Sequence, residues 1–170
     1  MPLTRREFLI DSVSAAALPG LGRSQQSNWV FQHGVASGDA LTDRVILWTR
    51  ITPQNGEHSL SYRWQLCVDP QCRQPLQQGF GFTHAERDFT VKIDVNGLQP
   101  GQSYYYRFDS QGQQSDIGRT RTLPQAGVSH LRLAFTSCSN YAQGYFNVYK
   151  ELAARSDLDA ILHLGDYIYE

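Results

Sequence analysis

Lysine is nearly absent from this 170-residue chain: it stands only at Lys92 and Lys150, and arginine carries the rest of the positive charge. Guanidinium groups suit bidentate contacts with oxyanions better than ammonium groups do, which makes the bias a weak hint of anion chemistry. No block of like charge exists, and the formal net charge is −1. No long-range field therefore draws the chain to nucleic acid or to an anionic membrane. There is no internal repeat, no low-complexity tract and no apolar run of the ~20 residues that a membrane-spanning helix needs. Apolar residues make up 41% of the chain and charged residues 18%, the balance of a globular protein large enough for one large domain or two small ones.

Cysteine is also scarce, with three in all. Cys67 and Cys72 frame "CVDPQC", where Asp69-Pro70 suggests a turn. Two readings stay open there, a disulfide across the turn or two separate thiols. Cys138 is left as the odd cysteine, and in an exported chain an unpaired thiol needs an explanation. Export is suggested by the start of the sequence. "TRREFLI" places Arg5-Arg6 just ahead of Phe8-Leu9, and a short, mildly apolar stretch follows from Val13 to Leu21. The pattern resembles a twin-arginine signal, with Ala15-Ala16-Ala17 offering a cleavage site and Asp11 as the main departure. The expected organisation begins with this signal peptide at 1–27, its partner being the twin-arginine export machinery. The expected destination is the periplasm, the cell surface or the medium.

Residues 28–123 are expected to form an all-β sandwich of immunoglobulin or fibronectin type. "SYRWQLCV" puts Tyr62, Trp64, Leu66 and Val68 on one face, "FTVKIDV" does so with Phe89, Val91, Ile93 and Val95, and "SYYYRFD" with Tyr104, Tyr106 and Phe108. A period of two among aromatic and β-branched residues marks half-buried strands, and short strands at regular spacing without helices between them point to a sandwich. These aromatic rows read as core rather than as a ligand stack. A linker at 124–130 follows.

After residue 130 the rhythm changes. "LRLAFTSC" and "AILHLGD" are continuous apolar runs of strand length, and the segment between them has helical spacing, with Phe146, Tyr149, Leu152 and Ala153 on one face. Strand, helix, strand is a βαβ unit, which belongs to a parallel sheet covered on both faces. One such unit cannot bury itself, so residues 131–170 are expected to open a larger, here truncated, α/β domain. Parallel strands deliver their carboxyl ends to one edge, where ligands bind in open α/β sheets. Cys138 lies beyond the first strand, and Asp166 and Tyr169 beyond the second. A thiolate, a carboxylate and a phenolate together suit a highly charged cation such as ferric iron, whereas zinc rarely takes tyrosine. Each residue also has an ordinary reading: Cys138 as a small buried apolar group, Gly165-Asp166 as a turn, Tyr169 as packing. His163 is expected in the core or behind the ligands, and Asn140 either behind the ligands or, in preference, as a structural cap.

Four stretches carry a family resemblance: "GVASGDALTDRVILWTR" at 34–50, "GLQPGQSYYYRF" at 97–108, "GRTRTLP" at 118–124 and residues 137–170 through "HLGDYIYE". Together they resemble the alkaline phosphatase D, or PhoD-type, family. The resemblance implies that the α/β part is a metallophosphatase domain of calcineurin-like architecture. It implies Fe3+ and Ca2+ as cofactors, Cys138, Asp166 and Tyr169 as metal ligands, and Asp166 as the catalytic carboxylate that also touches calcium. It implies a phosphate ester as substrate, as monoester or diester. The Asp-x-His and Gly-Asp-x-x-Asp pairs of ordinary metallophosphoesterases are missing, with Cys138 and Tyr169 standing in their places. Three other functions stay open: a secreted β-sandwich binding module or degenerate remnant without catalysis, redox chemistry rather than hydrolysis at the three-anion site, and a phospholipase D-like phosphodiesterase. The chain alone is expected to be an incomplete enzyme.

Overall fold

The computed structural model describes residues 30–167 and residue 169; the twin-arginine stretch lies outside the described residues. Two antiparallel sheets face one another. The first holds β1 (Val35–Gly38), β2 (Val45–Arg50) and β5 (Thr90–Val95), with β2 in the centre. The second runs β4 (Pro75–His84), β3 (Ser59–Cys67) and β6 (Ser103–Ser110), with β7 (Gln113–Gln114) and β8 (Gly118–Arg121) both pairing to β6. The chain is thus mostly β-sandwich. Register sets the core: Leu47 pairs with Ile93 and Leu66 with Tyr106. Leu47, Val91 and Val95 from one sheet meet Leu66, Tyr104, Tyr106 and Phe108 from the other in one buried cluster.

The expected core faces hold along β5 and β6, where every second residue is buried or half-buried. Val68 departs from expectation, being about half exposed. The strand stops at Cys67 because Cys67 and Cys72 form a disulfide, with Cα atoms 5.1 Å apart, and the chain turns between them. Asp69 organises that turn: its carboxylate accepts from the backbone N–H groups of Gln71, Arg73 and Gln74. Both cysteines are fully buried. Reducing the bridge is expected to destabilise the sandwich by about 2 kcal/mol, the entropy of closing so short a loop, measurable by denaturant unfolding with and without reductant.

The stretch around Pro100 builds a tyrosine corner. Gly101, at φ +67°, reverses the chain after Pro100. The buried Tyr104 then returns its hydroxyl to accept a hydrogen bond from the Gln99 N–H at 2.8 Å. Such a corner is a feature of immunoglobulin-like sandwiches. Tyr104→Phe leaves that amide without a partner, and an expected loss of ~1–3 kcal/mol follows, readable as a lower unfolding midpoint at unchanged slope. The same end of the sandwich is fastened by the 39–44 loop, where Asp43 O accepts from Leu98 N–H and Leu41 O from Leu123 N–H.

Beyond the sandwich, β9 (Leu133–Thr136) and β10 (Ala160–His163) pair in parallel, Leu133 opposite Ala160 and Thr136 opposite His163. Between them lie α1 (Tyr141–Gly144) and α2 (Asn147–Ala154). The single helical face expected from Phe146 to Ala153 is interrupted, because Tyr145 and Phe146 both adopt left-handed backbone and divide the segment into two short helices. Asn140 caps α1, its side chain accepting from Gln143 N–H, as expected. The apolar strands are not enclosed: Leu133, Phe135, Ile161 and Leu162 are all more than 40% exposed. Only His163, at the end of β10, is covered by rings, those of Tyr149 and Tyr167, among the contacts of the described residues. Arg121 reaches Asp159 at 3.2 Å, and Arg119 donates to the Arg155 carbonyl, which ties β8 to this segment. No helix of the described residues is long and apolar enough to cross a membrane.

Candidate metal centre

Parallel pairing of β9 with β10 releases two loops at one edge, and four backbone hydrogen bonds stitch those loops together. Leu164 N–H donates to Thr136 O, Cys138 N–H to Gly165 O, Ser139 N–H to Asp166 O and Tyr169 N–H to Ser139 O, at 2.8–3.2 Å. The stitching bends the backbone into unusual conformations. Cys138 and Asp166 both sit at positive φ, +58° and +51°, and Gly165 at +116°. For a cysteine this is an uncommon state, held only because both loops over-determine it. At Gly165 only glycine takes the conformation without strain.

The result is convergence of the three residues singled out in the sequence. Cys138 Sγ lies 3.5 Å from Asp166 Oδ2, and the thiol is free and exposed. Tyr169 hydrogen-bonds through its side chain to Asp166 first and Cys138 second, and both contacts push its phenol well above the ordinary tyrosine range. Among the described residues, no group of three or more His, Cys, Asp and Glu gathers anywhere; this cluster has two members of those types and a phenol as the third. A cavity of ≈ 220 Å³ opens beside Cys138, lined also by Asn140, Phe146 and Tyr149. A larger depression of ≈ 990 Å³ lies on the outer face of the β4-β3-β6 sheet, by Arg63, Phe80 and Arg107, and shares no residue with the cluster.

The chemistry of this donor set fits a cation. Three acidic groups gather here, the Cys138 thiol donating to Asp166 Oδ2 and the Tyr169 side chain bonded to both. A highly charged cation held by these three donors would favour their anionic forms. Calcium asks for six to eight oxygen ligands, of which this edge supplies few.

Sequence reasoning missed what lies behind the cluster. Ser139, buried and next to Cys138, contacts the Tyr149 hydroxyl, which lies 2.9 Å from His163 Nε2. The only available signal was the position of His163 at the end of its strand, which suggested a supporting role.

Comparison with known proteins connects these features. Residues 14–124 match the family described as PhoD-like phosphatase, N-terminal domain, and residues 133–170 match PhoD-like phosphatase. Alkaline phosphatase D of Bacillus subtilis (strain 168) is 39% identical over 152 residues, covering 85% of this chain and 26% of that protein. The solved structure of PhoD superimposes with a TM-score of 0.75 at 38% identity, over 85% of this chain and 29% of that one. The chain thus spans little more than a quarter of the length of these relatives.

Proposed function

Because the chain belongs to the PhoD-like phosphatase family, we propose that it is the amino-terminal part of an exported, metal-dependent hydrolase of phosphate mono- and diesters. Residues 28–123 are its sandwich domain, 124–130 a linker and 131–170 the opening βαβ unit of a calcineurin-like metallophosphatase domain. The observation that carries the reading is the convergence of Cys138, Asp166 and Tyr169 on one edge, with Cys138 Sγ 3.5 Å from Asp166 Oδ2. Those three residues would hold ferric iron, and Asp166 would also touch calcium. Bound there, the metal ions supply Lewis acidity toward the phosphoryl oxygens and offset charge in the transition state.

The chain's own residues do the rest. Gly165 and the left-handed Asp166 aim the carboxylate away from the strand and toward Cys138. Tyr169 bonds through its side chain to Asp166 and Cys138, which keeps its phenol oxygen beside the two other donors. The disulfide and the twin-arginine pattern both support export, since disulfides persist in oxidising compartments.

The test is hydrolysis of p-nitrophenyl phosphate by the full-length protein. Activity should vanish on treatment with a chelator and return with iron and calcium together, while residues 28–170 alone should show none. Activity that survives chelation, or a fully active 28–170 piece, contradicts the reading.

A further inference from the structure

We propose that His163, Tyr149 and Ser139 form a positioning relay that sets the spacing of Cys138 and Asp166. The inference rests on the reading of Cys138, Asp166 and Tyr169 as metal ligands, and it assigns a role to residues outside that set. The relay has a direction. Gly165 N–H donates to His163 Nδ1 at 3.3 Å, which makes Nε2 the proton-bearing nitrogen of the ring. Nε2–H faces the Tyr149 hydroxyl at 2.9 Å, with Ser139 Oγ more distant at 3.4 Å. The Tyr149 O–H is then free to donate to Ser139 Oγ.

The two ends of this chain of donors are the two loops of the candidate centre. Gly165 immediately precedes Asp166, and Ser139 immediately follows Cys138. Ser139 is the point where the loops cross, since its N–H donates to Asp166 O and its carbonyl accepts from Tyr169 N–H. Its side chain is buried, so its hydroxyl has to be satisfied by protein groups. Packing holds the relay in place. The Tyr149 ring meets Phe146 edge-on at 5.5 Å and stacks near His163 at 6.3 Å, while Tyr167 meets His163 edge-on at 5.0 Å. α2 contributes one hydroxyl, and through it fixes the distance between two loops it does not belong to. Groups that support metal ligands in this way typically govern metal affinity by ~10–100-fold.

The experiment loads the full-length protein with ferric iron alone and challenges it with a chelator. The readouts are iron retained per chain and the position of the phenolate-to-iron absorption band. Tyr149→Phe keeps the ring contacts and deletes only the hydroxyl. Tyr149→Phe and His163→Phe are expected to lose iron about ten- to a hundredfold more readily, with a shifted band. His163→Gln, whose amide can accept from Gly165 N–H and donate onward, should recover much of the difference. Should Tyr149→Phe unfold, Ser139→Ala removes the other end of the relay with a single oxygen. Iron retention and band unchanged in these variants, or no gain of His163→Gln over His163→Phe, overturns the relay and leaves the metal reading standing. Wild-type protein that binds no iron overturns both.

Discussion

Asp166→Asn in the full-length protein is expected to cut p-nitrophenyl phosphate hydrolysis on the order of a thousandfold, an order of magnitude beyond what the loss of an outer supporting group costs. The substitution is chosen to spare the fold. Asparagine has the same shape as aspartate and, like it, tolerates the left-handed backbone that Asp166 adopts at φ +51°. The backbone carbonyl of residue 166 would still accept from Ser139 N–H. What would disappear is the negative charge beside Cys138 and Tyr169, and with it the charge that the proposed cation needs. Iron content should fall together with activity while the melting temperature stays within a few degrees of wild type. Full activity in a well-folded Asp166→Asn protein would remove Asp166 from the catalytic role.

The largest expected effect on stability is that of Phe108→Ala, which should cost ~3–5 kcal/mol and lower the melting temperature of the sandwich on the order of 20 °C. Phe108 is fully buried in the central cluster and meets the Tyr106 ring edge-on at 6.3 Å. It lies on β6, the strand paired with β3 on one side and with β7 and β8 on the other, so the cavity left behind has little freedom to collapse. The neighbouring Gly118 shows how full the site is. A Cβ there would strike the Tyr106 ring, which itself is buried deeply enough to push its phenol up to about 12. Thermal unfolding followed by circular dichroism checks the prediction, and a drop of only a few degrees would show that β6 is not the centre of the core.

The sandwich could be read from β5 and β6 because their apolar residues recur at every second position, and the structure buries or half-buries those same residues. β4 shows why the reading was partial. Its inward positions include Gly79 and Gly81, and its outward ones Phe80 and Phe82, which are 80% and 61% exposed. The hydrophobic pattern is therefore inverted. The inner face is filled from the neighbouring strand instead: a Cβ on Gly79 would come within 2.6 Å of Trp64, and one on Gly81 within 2.6 Å of Tyr62. Glycines covered by cross-strand aromatic rings leave no periodic signal of their own. The break of the helix at Tyr145 and Phe146 was equally hidden, since aromatic residues rarely take left-handed backbone.

At the candidate centre, the ends of β9 and β10 were legible as neighbours because parallel pairing brings carboxyl ends to one edge. That placed Cys138, Asp166 and Tyr169 in one region. The relay of Ser139, Tyr149 and His163 was not legible, because it depends on how α2 lies against the edge, which no spacing in the sequence encodes.

The central claim is that Cys138, Asp166 and Tyr169 together hold one highly charged cation. X-ray absorption at the iron edge of the full-length exported protein tests it most directly. One sulfur neighbour together with oxygen neighbours, the sulfur lost in Cys138→Ser, is the predicted result; iron surrounded by nitrogen and oxygen alone, or no iron at all, would contradict it.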